Sequence, residues 1–102
     1  MIILSLFLFV ISCNVTSEPS DKQSAFSNKL LETHGIINTD WYNNLSLNVT
    51  VDLDSLGSPP EMKAQLLADE IAAKGFEQTG TSICVTIYYG YKNKLASSCL
   101  YK

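Results

Sequence analysis

Three cysteines, Cys13, Cys84 and Cys99, are the residues of this chain best suited to chemistry. A thiolate can act as a nucleophile or a metal ligand, and two thiols can form a disulfide. No Cys-x-x-Cys pair occurs, and the single histidine, His34, has no cysteine or carboxylate partners at metal-ligand spacing. We therefore expect no redox catalysis, no metal site and no bound cofactor, which leaves the cysteines for modification or pairing.

Asp52 and Asp54 are the other pair that could do chemistry. They stand two residues apart where a strand-like segment ends, so both carboxylates could point to one side. Paired carboxylates can divide the roles of general acid and general base, but such residues are more often solvated groups of a turn. The chain has no Gly-x-Ser-x-Gly elbow, phosphate loop or dinucleotide fingerprint. A small hydrolase is therefore the least favoured function, and we expect no enzyme.

The first eleven residues, Met1–Ile11, are apolar except for Ser5, and Glu18 is the first charged residue. A helix of that length is roughly 16 Å long at 1.5 Å per residue, whereas a membrane span needs about 20 residues. The segment therefore has the length of the apolar region of a secretion signal. We expect residues 1–12 to be a cleaved signal peptide.

The four residues Val10-Ile11-Ser12-Cys13 close this apolar segment. They resemble the lipobox of bacterial lipoprotein signal peptides. The resemblance implies that the Cys13 thiol receives a diacylglycerol, that the signal is cut before Cys13, and that the new amine is acylated, typically with palmitate. Asn14 follows, which by resemblance to enterobacterial lipoproteins favours the outer membrane, with the protein facing the periplasm. The alternative is an ordinary cleaved signal and a soluble secreted domain without lipid.

The rest of the chain is divided into a tether and one domain. Residues 13–24 are polar with no apolar period, which predicts a flexible tether, and residues 25–102 predict a single small domain. The seven basic and ten acidic residues give a net charge of −3, and the basic residues do not cluster. We therefore expect no nucleic-acid interface and no polybasic patch for anionic lipid.

Two helices are predicted. Ser20 and Gln23 form a capping-box pattern at the start of a helix over residues 21–34, with Gly35 as its stop. A second helix over residues 59–74 has Ser58 as cap, Pro59 at its first position and Gly75 after its end. At 100° per residue the second helix has two apolar stripes, and we expect the first to meet the sheet and the second to meet the first helix. The stripes are Ala64, Leu67, Ala68 and Ile71, and then Met62, Leu66 and Ala73.

Three strands are predicted. Residues 45–53 alternate apolar and polar side chains without a fault, and residues 82–89 and 95–101 flank a turn at Gly90–Asn93. The order is α-β-α-β-β. The crossover helix makes the first two strands parallel, and the hairpin adds an antiparallel third. We therefore predict an α+β fold in which two helices cover one face of a three-stranded mixed sheet.

Cys84 and Cys99 are predicted to form a disulfide across this hairpin. The two positions are equidistant from a centre between Tyr91 and Lys92, where the turn is expected, so they fall opposite each other. If Cys13 is lipidated, the other two cysteines can pair, which accounts for the odd count in an exported protein. Closing a loop of about 15 residues contributes roughly 3 kcal/mol in the chain-entropy model. The alternative is two free thiols.

The same register predicts which side chains occupy the uncovered sheet face. They are Thr86, Tyr88, Ser97 and Tyr101, with Trp41 and Tyr42 nearby. Aromatic residues gathered there would make a surface for a protein partner. The alternative is that the tyrosines serve only strand propensity.

Four stretches of the domain resemble small secreted bacterial domains of unknown function: Leu47–Leu53, Leu67–Ile71, Thr81–Gly90 and Lys94–Tyr101. This resemblance implies the α+β fold and no activity. The function expected from the sequence is therefore a lipoprotein of the bacterial cell envelope that acts as a non-catalytic binding or assembly module.

Overall fold

A computed structural model describes residues 18–102, so the predicted signal peptide and the predicted lipidation site Cys13 lie outside the described residues. The described part is an α+β fold with three helices and one four-stranded sheet. Its elements are α1 (Asp21–Leu30), β1 (Ile36–Trp41), β2 (Ser46–Val51), α2 (Leu53–Leu56), α3 (Pro60–Thr79), β3 (Ile83–Tyr89) and β4 (Asn93–Leu100).

The sheet has the strand order β1-β2-β3-β4. β2 and β3 are parallel, as predicted from the crossover through α3, and β4 is antiparallel to β3. The prediction of three strands was wrong, because β1 adds a fourth that pairs antiparallel with β2. The observed order is therefore α-β-β-α-α-β-β once the short helix α2 is included.

β1 has no clear period-two pattern. Its register is irregular between Ile36 and Asn38, which displaces Ile37 to an exposed position. Thr39 then occupies the covered side opposite Val49, where its hydroxyl donates to the carbonyl of Ser27 in α1 at 3.3 Å. A bulge shifts the side-chain alternation by one residue. Thr39 is also polar although it lies on the covered side, so the sequence of β1 shows no alternation of apolar and polar residues.

The alternation of apolar and polar residues in β2 reflects the burial of one face of the strand. Leu47, Val49 and Val51 are buried beneath the helices, and the polar residues between them face the other side. The predicted ends, Leu45 and Leu53, lie outside the strand and are exposed, because the chain turns at both places.

The capping box at the start of α1 is confirmed. The backbone N–H of Gln23 donates to Ser20 Oγ at 3.2 Å, and the Ser20 N–H donates to Gln23 Oε1 at 2.7 Å. The helix ends at Leu30 and not at His34. Turns follow because the chain must reverse to begin β1 at Ile36, whose N–H bonds the carbonyl of Thr33 at 3.2 Å.

α3 begins later than predicted. Ser58 does not cap it, because Pro59 is the N-cap residue and Pro60 is the first helical residue. A residue that precedes proline is pushed out of the helical region, and Pro59 accordingly has an extended ψ of 139°.

α3 also ends later than predicted. It continues through Gly75 to Thr79 and stops at Gly80, which has the left-handed φ of 70°. Close packing explains why position 75 of the helix is a glycine. A Cβ there would come within 2.7 Å of Ile83 Cδ1 and 2.9 Å of Phe26 Cε2. A glycine that fits either a helix stop or a close approach cannot be assigned from sequence.

The first predicted stripe of α3 is confirmed, since Ala64, Ala68 and Ile71 are buried and Leu67 packs against the core. The second prediction was wrong: Met62, Leu66 and Ala73 are exposed. α1 instead approaches α3 where Phe26 meets Gly75. The small side chains Ala72 and Gly75 allow this approach, so the helix contact depends on low side-chain volume and not on an apolar stripe.

The disulfide and the hairpin register are confirmed. Cys84 and Cys99 are cross-strand partners and their sulfur atoms are bonded. The predicted pairing holds from Ile83 opposite Leu100 to Ile87 opposite Ala96, and then shifts by one residue at a bulge before the turn. Ile83, Val85 and Ile87 are buried on the helix side, and the register places Ala96 opposite Ile87 on that same side, where it is also buried.

Candidate functional site

The uncovered side of the sheet, called the open face below, carries two rows of polar side chains. Paired positions in neighbouring strands define the rows. The first row contains Asp40, Asn48, Thr86 and Ser97, and the second contains Asn38, Thr50, Tyr88 and Lys94. Each residue of a row is paired with the residue in the neighbouring strand, so each row crosses all four strands. Every strand therefore contributes polar groups to one continuous surface.

A shallow depression of about 450 Å³ lies on the open face. Its floor is made by Asn38, Asp40, Asn48, Thr50 and Tyr88, and its rim by the β3–β4 turn, Gly90, Tyr91 and Lys92. The Lys92 ammonium lies 5.3 Å from the centroid of the Tyr91 ring, within the range of a cation–π contact. The depression thus combines one carboxylate, one ammonium, two amides, several hydroxyls and two aromatic rings.

This group of side chains can bind a polar ligand or a polar protein surface through hydrogen bonds. Asn and Thr both donate and accept, whereas the carboxylate of Asp40 accepts only. The depression contains no histidine, cysteine or second carboxylate. Within residues 18–102, no three His, Cys, Asp or Glu side chains lie close enough together to hold a metal ion.

Three of the four predicted surface residues lie in the rows described above, namely Thr86, Tyr88 and Ser97. Tyr101 lies beyond the end of β4, and its hydroxyl is 3.5 Å from Cys84 Sγ. Tyr101 is therefore at the far end of the open face from the depression.

Trp41 was expected near the open face but lies on the opposite side of the sheet. Trp41 pairs with Leu47 in the β1–β2 ladder and packs against the core on the helix side. Its neighbour Tyr42 follows the strand and is exposed. The alternation between Trp41 and Asp40 was not available from the sequence, because β1 itself was not predicted.

The sequence reasoning also missed Asn38 and Asp40 for the same reason. Asn48 and Thr50 had a signal, since they are the polar partners in the alternating strand, but they were assigned only to a solvated side. They become candidates for binding because they line the same depression as Tyr88 and Tyr91.

The carboxylates proposed for acid–base chemistry have local contacts. Asp52 is the N-cap residue of α2: its carboxylate accepts from the Asp54 N–H at 3.3 Å and from Ser55 Oγ at 3.0 Å. Asp54 stands in the first turn of α2, where negative charge is favoured. Both are exposed, as is His34 in the turn after α1.

Comparison with protein families, with curated protein sequences and with solved structures finds no match to this chain. Among the helices of residues 18–102, none combines the length and the apolar character needed to cross a bilayer.

Proposed function

We propose that this protein is a lipoprotein of the bacterial cell envelope, anchored through an acylated Cys13 and acting by binding or assembly. The pattern Val10-Ile11-Ser12-Cys13 at the end of an apolar segment carries the anchoring part of the proposal. The Cys84–Cys99 disulfide supports export, because disulfides persist in oxidising compartments. Asn14 favours the outer membrane with the domain facing the periplasm. The runner-up is the same domain secreted without lipid.

The open face is the binding surface of the proposed module. No element of the described chain covers its depression. The depression brings together hydrogen-bonding groups from β1, β2 and β3 with the rings of Tyr88 and Tyr91. Buried tyrosines at the centre of an interface contribute large contact area together with a polar hydroxyl. The partner proposed for this surface is a protein.

Lipidation is tested by replacing Cys13 with Ser in cells of the producing bacterium. Radiolabelled palmitate should enter the wild-type protein and not Cys13→Ser, and only the wild type should remain with the membrane fraction. Three acyl chains exceed the two signals that stable anchoring requires. Equal fractionation of both proteins, with no palmitate in either, would favour the secreted form.

Binding by the open face is tested with a photoreactive residue at Tyr88 and, as a matched control, at the exposed position Met62 of α3. A discrete adduct should form in intact cells from position 88 and not from position 62. The second variant, Asp40→Lys, replaces the one carboxylate of the lining with a second ammonium in addition to Lys92. The lining then carries two positive charges in place of one charge of each sign, and the adduct should be lost. No adduct from position 88, or equal adducts from positions 88 and 62, would show that the open face does not carry the binding.

A further inference from the structure

The described chain begins at a fixed place on the domain, which we call the tether end. Glu18 and Pro19 lie in one surface depression with Asn44, Leu45 and Thr81. The start of α1 is held there by Gln23, which is 3% exposed. Its side-chain Nε2 donates to the carbonyl of Asn44 at 2.6 Å and to Thr81 Oγ1 at 3.3 Å. A buried amide bonded to two loops fixes where the chain from Cys13 enters.

The tether end is also where β1 and β4 finish and where β2 and β3 begin. Three large side chains are exposed around it: Tyr42 at 78%, Leu45 at 44% and Tyr101 at 74%. Leu45 and Tyr101 are linked through Cys84, whose N–H donates to the Leu45 carbonyl at 2.8 Å and whose Sγ lies 3.5 Å from the Tyr101 hydroxyl. The Tyr42 N–H donates to the carbonyl of Ser46 at 2.9 Å. The disulfide to Cys99 therefore supports the backbone beneath this patch.

We propose that the tether end docks on the bilayer surface, with Tyr42, Leu45 and Tyr101 entering the interface between headgroups and acyl chains. The inference rests on the proposed acylation of Cys13. Four residues separate Cys13 from Glu18, and the five residue-to-residue steps between these two positions span at most about 18 Å in an extended chain. The patch that surrounds Glu18 is thus confined close to the membrane by the chain itself.

The chemistry of the patch suits a lipid surface. Tyrosine rings are enriched at membrane–water interfaces, where the ring lies among apolar groups and the hydroxyl stays hydrated. A contact of this size is weak in isolation, but the anchor converts it into an intramolecular contact with a high effective concentration. Basic residues do not cluster in the chain, so docking relies on apolar contact and persists with zwitterionic lipid and in high salt.

Docking determines how the binding surface is presented. The depression of the open face is lined by Thr50, Tyr88 and Gly90, which lie where β2 and β3 end. This is the end of the sheet opposite to the tether end. A docked domain therefore directs the depression away from the membrane and keeps it accessible to a partner.

The experiment uses the mature protein purified from the producing bacterium and mixed with phosphatidylcholine vesicles whose acyl chains carry bromine, which quenches indole fluorescence. Trp41 is the only tryptophan, so Trp41→Phe provides a background for a moved reporter. Tyr42→Trp places the indole in the patch, and Tyr91→Trp places it at a site 83% exposed at the opposite end. Position 42 should be strongly quenched and position 91 should not.

A second pair of variants tests the patch itself in the Tyr42→Trp background. Leu45→Ser with Tyr101→Ser should remove most of the quenching, whereas Met62→Ser with Leu66→Ser, equally exposed but on α3, should leave it unchanged. Vesicle flotation of every variant separates the two levels of inference. Protein that floats with equal or no quenching at both positions overturns docking and leaves the anchor intact. Protein that neither floats nor is quenched overturns both.

Discussion

The two faces of the sheet have opposite character although their side chains alternate along the same strands. On the helix-covered face, Leu47, Val49 and Ile87 are fully buried. On the open face, their neighbours Asn48 and Thr86 are half-buried and polar. Successive side chains of a strand point to opposite sides, so one set of residues can satisfy packing while the other is free to vary.

The covered face is closed by a helix with small side chains. α3 presents Ala64, Ala68, Ala72 and Gly75 toward the sheet and α1, and each is buried. Small residues let the helix lie close, so the larger strand residues fill the space between the layers. The comparison teaches that stability is concentrated on the covered face, which leaves the open face available for binding.

The largest effect is expected where α3 meets the sheet. Ile71 is 2% exposed and Leu66, five residues earlier on the same helix, is 60% exposed. Ile71→Ala should lower the free energy of unfolding by about 2 to 5 kcal/mol, because it leaves a cavity. Leu66→Ala should change it by less than about 0.5 kcal/mol. Urea denaturation measures both, and similar losses would mean that the buried face of α3 has been assigned incorrectly.

The disulfide is the exception to the division, because it stabilises the domain from the open face. Cys84→Ser with Cys99→Ser should cost about 3 kcal/mol through a more flexible unfolded chain. Thermal unfolding with and without reductant provides the measurement. Wild type should lose stability in reductant and the serine variant should not respond. A reductant effect on both proteins would point to a cause other than this bond.

Gly75→Ala tests how closely the layers pack. Helix propensity alone predicts a gain of roughly 0.5 to 1 kcal/mol. The new Cβ would meet Ile83 Cδ1 at 2.7 Å, and overpacking of this kind costs about 1 to 3 kcal/mol. We expect a net loss, and the sign of the change in chemical denaturation decides between the two effects. A more stable variant would show that the side chains of Ile83 and Phe26 can move away from the new methyl group without cost.

The smallest effect is expected on the open face. Asn48→Ala should change the free energy of unfolding by about 0.5 kcal/mol or less, as for a surface substitution away from special features. The adjacent Val49→Ala removes a fully buried side chain and should cost far more. The same denaturation assay compares the two neighbours. Comparable losses would show that the open face is part of the stabilising structure.

Local patterns determined much of this fold. The alternation in β2, the capping box of Ser20 and Gln23, and the pairing of Cys84 with Cys99 were all predicted from neighbouring residues. Each depends on a short-range rule: side-chain period, a hydrogen bond across three positions, or the symmetry of a hairpin about its turn. Such rules do not depend on residues that are distant in the sequence.

Other features were decided only by the tertiary structure. β1 owes its place to pairing with β2 and to the contact of Thr39 with Ser27, since its own residues do not alternate. A glycine at position 75 of α3 is explained only by the close approach of Phe26 and Ile83. The polar groups of β1 reach the open-face depression through strand order alone. These outcomes require long-range contacts between residues that no local pattern relates, because burial and close approach are properties of the assembled layers.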